Sequence, residues 1–205
     1  MTDADRPART AQHDAAAAVR RLAHALVARV GDEAVLAQVA AAASQLVAQL
    51  EQHPRLERGP DALRADRADG PPADGAVVEH FDRCPVSGPA NPFATDIVAR
   101  RDGDEVRCSV TLGPGCEGPP GHAHGGVVAA LFDDATAFLM RIVDETCMAS
   151  ELTVHYRRPV PLGVPLEIDA RVAGRDGRRI HTEAEMRHGD VVVARATCVK
   201  VNVER

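Results

Sequence analysis

The 205-residue chain carries 24 Lys and Arg against 30 Asp and Glu, a formal charge of −6, and is 45% apolar but only 2% aromatic. That length supports one good core with an appended element. The acidic balance, the lack of a basic run and a total of one Tyr and four Phe exclude base stacking and a nucleic-acid footprint as the main activity.

Cys84, Cys108, Cys116, Cys147 and Cys198 are odd in number and form no C-x-x-C pair. Free thiols in a reducing cytoplasm are expected rather than a disulfide frame or a zinc site. The N-terminus is polar and acidic, so no signal peptide is expected. No uninterrupted apolar run reaches about 18 residues, so no membrane span is expected either.

Residues 11–50 read as two helices joined as a hairpin. Val19, Leu22, Leu26 and Val30 lie on one helical stripe; Leu36, Val39, Ala43, Leu46 and Leu50 repeat at three and four residues. Asp32 is the expected N-cap of the second helix. The stripes predict an oligomerisation or core-capping element, with a substrate lid as the sharper alternative. Residues 54–76 have linker composition. The expected divisions are a helical extension over 1–53, a linker over 54–80 and a main domain over 81–205. Within the last, Cys84 to Pro92 is too rich in Pro and Gly for a regular helix or central strand.

Strand patterns begin at 97–101 and 106–112, flanking Asp102-Gly-Asp104. An almost wholly apolar helix follows over 125–142. Four more strand-like runs occupy about 148–158, 165–173, 179–187 and 191–203, with turn signals at 174–177 and 188–190. Leu166, Ile168, Ala170 and Val172 alternate with Glu167, Asp169 and Arg171, as in an antiparallel sheet packed on one face. The expected fold is α+β: a meander of about six antiparallel strands curled around one long central helix, with an N-terminal helical hairpin.

The central helix holds the candidate chemistry. Gly125 and Gly126 leave backbone N–H groups free at its N-terminus, where negative charge is stabilised. Asp133 and Asp134 sit in its middle, and a carboxylate in a buried helix costs several kcal/mol unless paired, shifted or put to use. At about 1.5 Å per residue, Asp133 lies about 12 Å from Gly125. One carbonyl carbon cannot touch both within one chain, which suggests a site shared across a dimer. Ser150, Leu152, Val154 and Tyr156 share a strand face, so Ser150 is expected to point inward near the carboxylates.

His124-Gly-Gly126 with an acid nine positions after the His resembles the hotdog-fold thioesterases of the PaaI/thioesterase-superfamily type. Gly118-Pro-Pro-Gly-His-Ala before it, Asn91-Pro92, and Met148-Ala-Ser-Glu-Leu-Thr-Val-His-Tyr-Arg-Arg-Pro159 after it are also similar to that family. The resemblance covers roughly 88–203. It implies dimers or dimers of dimers that hydrolyse acyl-CoA thioesters, with no cofactor beyond the CoA of the substrate. By position it makes Asp133 the general base or nucleophile, has Gly126 N–H polarise the carbonyl, and has His124 shape that loop. Some relatives carry a Thr sixteen residues after the Asp. Position 149 is Ala here, so Ser150 is the expected hydroxyl.

Asn91, Gly125, Asp134, Arg157 and Arg158 are the candidate substrate contacts, the two arginines for CoA phosphates. All but Gly125 have a plainer alternative: a turn for Asn91, structural or interface pairing for Asp134, and solvated charge for the arginines. His122 and His124 at i, i+2 have no matching acid or Cys cluster, so no metal is expected. Acyl-CoA and further copies of the chain are the expected partners, without nucleic acid or membrane. A hotdog hydratase/dehydratase and a non-catalytic acyl-CoA-binding sensor are the alternative functions.

Overall fold

A computed structural model describes residues 10–57, 70–79 and 81–203. Strands β1 (Val98–Asp102), β2 (Glu105–Thr111), β3 (Cys147–Tyr156), β4 (Pro165–Asp176), β5 (Arg179–His188) and β6 (Val191–Asn202) form one antiparallel sheet. The helices are α1 (Ala11–Ala28), α2 (Glu33–Leu50) and α3 (Gly125–Ile142). The chain folds as expected into a hotdog arrangement, with α3 packed against all six strands.

The connectivity is not a simple meander. The strand order is β1-β2-β4-β5-β6-β3. After β2 the chain runs through α3 and returns at the opposite edge, as β3 against β6. Eighteen helical residues span about 27 Å, enough to cover a sheet about 24 Å across. Strand β4 also outlasts its expected end. A bulge between Val172 and Gly174 absorbs the glycine, and only Gly177, at φ 55°, makes the turn.

The concave face of the sheet meets Leu131, Phe132, Ala135 and Leu139 of α3, all fully buried. Val106 and Cys108 of β2, Leu166 and Ile168 of β4, and Met186 of β5 complete that core. Burying Phe132 alone contributes about 2–3 kcal/mol. The outer face is charged: Arg107 pairs with Asp169 at 2.9 Å, and Arg195 with Glu185 at 2.5 Å. On α3 Gly126, Ala129, Ala130, Asp133, Ala137 and Arg141 keep some exposure along one stripe, as do Gly125 and Val127 in the first turn. This helix therefore has one open stripe of small side chains, with a carboxylate in its middle.

Asp32 caps α2 as expected, accepting from Val35 N–H at 2.8 Å. The packing of both N-terminal helices differs from the expectation of a core cap. Val19, Leu22, Leu26 and Val30 of the first stripe are exposed, and α2 buries no residue at all. The docked face of α1 is instead polar and small: His13, Ala16, Arg20 and His24. Its partners are loops that offer backbone and carboxylate groups, so hydrogen bonding and not apolar burial selects the face. By length and composition alone α2 is also apolar enough to cross a membrane.

Of the stretch read as a linker, residues 58–69 and 80 lie outside the described residues. Its far end does not hang free: Val77 bridges Arg100, and the buried Val78 donates to Ala99 O at 2.9 Å.

Candidate active site

The N-terminus of α3 is shaped by its own cap. His124 N–H donates to Cys116 O at 2.8 Å, which fixes the backbone ahead of the helix. The His124 ring then folds back, and Nδ1 accepts from Gly126 N–H at 3.0 Å. A Cβ at Gly126 would lie 3.1 Å from that nitrogen, so glycine leaves the ring its place. Gly118 is required more strictly, because a Cβ there would meet His124 Cα at 2.8 Å. Among the described residues Gly125 N–H has no acceptor, while Gly125 O accepts from the Tyr156 hydroxyl at 2.8 Å. Tyr156, the single tyrosine, thus ties β3 to the first turn of α3. His124 is exposed, as are Arg157 and Arg158.

The two carboxylates have opposite surroundings, as their 100° separation on the helix implies. Asp134 is buried, accepts from the Cys84 thiol at 3.3 Å, and among the described residues its Oδ2 has no partner. Asp133 retains half of its side-chain surface, and its Oδ1 accepts from Lys200 Nζ at 2.7 Å. The same ammonium reaches Asp133 O at 3.2 Å, and Thr136 Oγ1 donates to that carbonyl at 2.9 Å. Lys200 is 3% exposed. It lies on the inward face of β6, opposite Ala149 of β3.

Ser150 does not take the place expected of it. The register of β3 against β6 shifts between Ala149 and Glu151, so the alternation that aimed Ser150 inward breaks at that residue. It is exposed, and its hydroxyl donates to Val199 O at 3.1 Å. Asn91 is occupied locally: Nδ2 donates to Arg83 O at 3.0 Å and Oδ1 accepts from Phe93 N–H at 2.9 Å. That is the turn role, which closes both polar ends of the side chain.

The single chain therefore holds two separate groups. One is His124, Gly125, Gly126 and Tyr156 at the helix end; the other is Asp133, Lys200 and Thr136 in its middle. Helix α1 braces the first group. His24 Nδ1 accepts from Gly115 N–H at 2.8 Å, one residue before the carbonyl that holds His124. Arg20 donates to Asn91 O at 2.8 Å and pairs with Asp96. A groove of about 590 Å³ lies on the outer sheet face among Glu105, His155, Arg157, Asp169 and Arg195. It includes none of the residues of either group, and its Asp169, Arg171, Glu183, Glu185 and Arg195 are already paired, so the residues of α3 are the better guide to chemistry.

Of the thiols, Cys108 and Cys116 are pushed above their ordinary range by burial, Cys108 further by the charge of Asp134. Burial also raises Cys198, which the Lys200 ammonium beside it partly opposes. None of the three is an activated nucleophile. Among the described residues no group of three or more His, Cys, Asp and Glu is arranged to hold a metal.

Lys200, Tyr156 and Arg20 were not singled out from the sequence. The signal for Lys200 was there: the only lysine of the chain, at an inward position of an alternating strand.

Comparison with known proteins gives a consistent picture. Residues 120–194 match the family model described as Thioesterase superfamily. Acyl-coenzyme A thioesterase THEM4 of Xenopus laevis is 37% identical over 83 residues, 40% of this chain and 37% of the relative. THEM4 of Bos taurus is 30% identical over 97 residues, 46% and 40% of the two chains. The match thus spans less than half the length of these relatives. A crystal structure of a thioesterase superfamily protein aligns over 96% of this chain and 97% of its own, with 31% identity and a TM-score of 0.80. The PaaI protein of E. coli, from the phenylacetic acid degradation operon, shares the fold at 20% identity and a TM-score of 0.50, over 53% of this chain and 80% of its own.

Proposed function

The chain belongs to the thioesterase superfamily, and from that premise we propose that it hydrolyses an acyl- or aryl-coenzyme A thioester with Asp133 as the reacting carboxylate. One observation carries the assignment. In a helix buried on most sides, Asp133 alone presents a half-open carboxylate on the open stripe, while Asp134 next to it is sealed under Cys84. The names of the THEM4 relatives supply the substrate class.

Acting as base, Asp133 takes a proton from water as the water oxygen bonds to the thioester carbonyl carbon. The carbonyl electrons move to oxygen, the tetrahedral adduct collapses, and the C–S bond breaks to release the CoA thiolate. Acting as nucleophile, Asp133 bonds to that carbon itself, and water then cleaves the mixed anhydride. The developing oxyanion is matched to the N-terminus of α3. Gly125 N–H is open there, and Gly126 N–H becomes available once the carbonyl oxygen displaces His124 Nδ1.

The separation of about 12 Å along the helix favours a homodimer, or a dimer of dimers, in which one copy brings its helix end to the Asp133 of the other. The chain has surface for such assembly. Strand β3 is an open edge, with Met148 and Tyr156 half exposed, and both N-terminal helices leave their apolar stripes uncovered. Arg157 and Arg158 are exposed beside β3 for CoA phosphates.

The test is thiol release from a panel of acyl- and aryl-CoA thioesters, with wild type beside Asp133→Asn and the mass of each in solution. The expected result is turnover that falls at least about a hundredfold in the variant while fold and assembly persist. Undiminished turnover in Asp133→Asn rejects the role of Asp133. Saturable CoA-ester binding without turnover assigns the chain to the sensor class instead.

A further inference from the structure

Lys200 is an anomaly of composition and of place. All other cations among the 24 Lys and Arg are arginines. Lys200 nevertheless stands on the inward side of β6, between Ile180 of β5 and Ala149 of β3 in the register. The rest of that inward side is Ala194, Ala196, Cys198 and Asn202, all buried. A buried cation is retained only where its donors are matched.

Here they are matched around one residue. Nζ lies 2.7 Å from Asp133 Oδ1 and 3.2 Å from Asp133 O, with the Cys198 thiol beside it. A guanidinium has five donors in a rigid fork and would leave several unmatched in this space. A lysine ammonium has three donors and fits. Position 149 is small, and no hydroxyl stands there to hold the carboxylate, since Ser150 is turned outward onto Val199 O.

We propose that Lys200 is the positioning residue for Asp133: its ammonium holds Oδ1 and the carbonyl of the same residue, fixes the carboxylate in one rotamer, and leaves Oδ2 free for the reaction. This rests on the reading of Asp133 as the reacting group. A carboxylate on an open helix stripe otherwise samples several rotamers, and reaction depends on holding the attacking group in one near-attack geometry. The anchor is stiff at both ends. Lys200 is carried by an interior strand, and the Asp133 carbonyl it grips is also held by Thr136.

The experiment compares Lys200→Met, Lys200→Arg, Asp133→Asn and the Lys200→Met/Asp133→Asn double variant on one thioester substrate. Lys200→Met is expected to lower kcat about 10- to 100-fold with KM changed less than about threefold, because Lys200 acts on the reacting group and not on binding. Lys200→Arg is expected to recover part of kcat. In the Asp133→Asn background Lys200→Met is expected to add nothing.

Wild-type kcat in a folded Lys200→Met, a loss confined to KM, or the same fractional loss with and without Asp133 would each overturn the proposal. Asp133→Asn assayed alone separates the two failures: full activity there removes the function assigned to Asp133 and this proposal with it. If Lys200→Met does not fold, the single lysine gives a second readout. Lysine labelled with ¹⁵N yields one Nζ resonance, expected to exchange slowly and to move in Asp133→Asn. An Nζ resonance that ignores that substitution overturns the proposal.

Discussion

Replacing Arg20 by Met tests whether hydrogen bonding, and not apolar burial, docks α1. Arg20 is 6% exposed and donates to Asn91 O at 2.8 Å while pairing with Asp96. Asp96 is 72% exposed on its side chain, so on losing its partner it returns to water and the ion pair counts for little. The Asn91 carbonyl loses a charged donor, a bond of about 1.5–3 kcal/mol. Met keeps most of the stem packing and removes the desolvation of a guanidinium whose Nε is buried with no partner among the described residues. The net cost is about 1–2 kcal/mol, which shifts the docking equilibrium of α1 about 5- to 30-fold. Because α1 lies outside the core, the loss appears as local opening with little change in global unfolding. Hydrogen exchange of the α1 amides and of Gly115, whose N–H is held by His24, should accelerate by that factor. The core amides of β4 and β5 should not. Unchanged exchange in α1 refutes the reasoning, and so does a global loss above about 3 kcal/mol with α1 still protected.

Gly118→Ala should cost about 1–3 kcal/mol and reduce thioester turnover, because the new Cβ meets His124 Cα at 2.8 Å and must displace the cap of α3; a thermal melt and rate equal to wild type would contradict this. Stability should decline at alkaline pH. The Cys108 thiol is raised by burial from an ordinary value of 9.0, so the unfolded chain loses that proton first. The stabilisation is complete below about pH 8.5 and is lost as pH rises beyond it, by up to about 1.4 kcal/mol per pH unit. Urea unfolding under reductant at pH 7, 8.5 and 10 should show this slope, and Cys108→Ala should reduce it, leaving the part due to the buried Cys116 and Cys198; parallel slopes in the two proteins would refute the assignment.

The sheet and central helix were legible because each element repeats one period throughout. Helix α3 runs over 125–142 as expected, bounded by the His-Gly-Gly start. Strands β4 and β5 alternate Leu166, Ile168, Ala170 and Ile180, Thr182, Ala184 inward against charged residues outward, and these inward residues are buried. Strand order was less legible because pairing is a tertiary choice. Nothing local in Cys147–Tyr156 says that it joins β6 rather than β2. For α1 the pattern misleads. Its apolar stripe faces away from the rest of the chain, and the face that docks is held by His13 on Asp82, Arg20 on Asn91 and Asp96, and His24 on Gly115.

At the site, the limit of legibility is the limit of strict alternation. Period two carries a strand face from Tyr156 back through Val154 and Leu152, and it fails at Ser150 because one extra residue sits against Val199 and Lys200. A residue argued inward is thereby exposed, and the polar contact to Asp133 comes from the neighbouring strand. The same alternation holds without interruption from Ala194 to Asn202 in β6, so an inward lysine was inferable there. An inward lysine demands a buried or half-buried acceptor, and Asp133 in the apolar helix is the complementary anomaly. Each is costly alone. Read together as one ion pair, they place the middle of α3 against the end of β6, a tertiary contact that neither the helix pattern nor the strand pattern contains by itself.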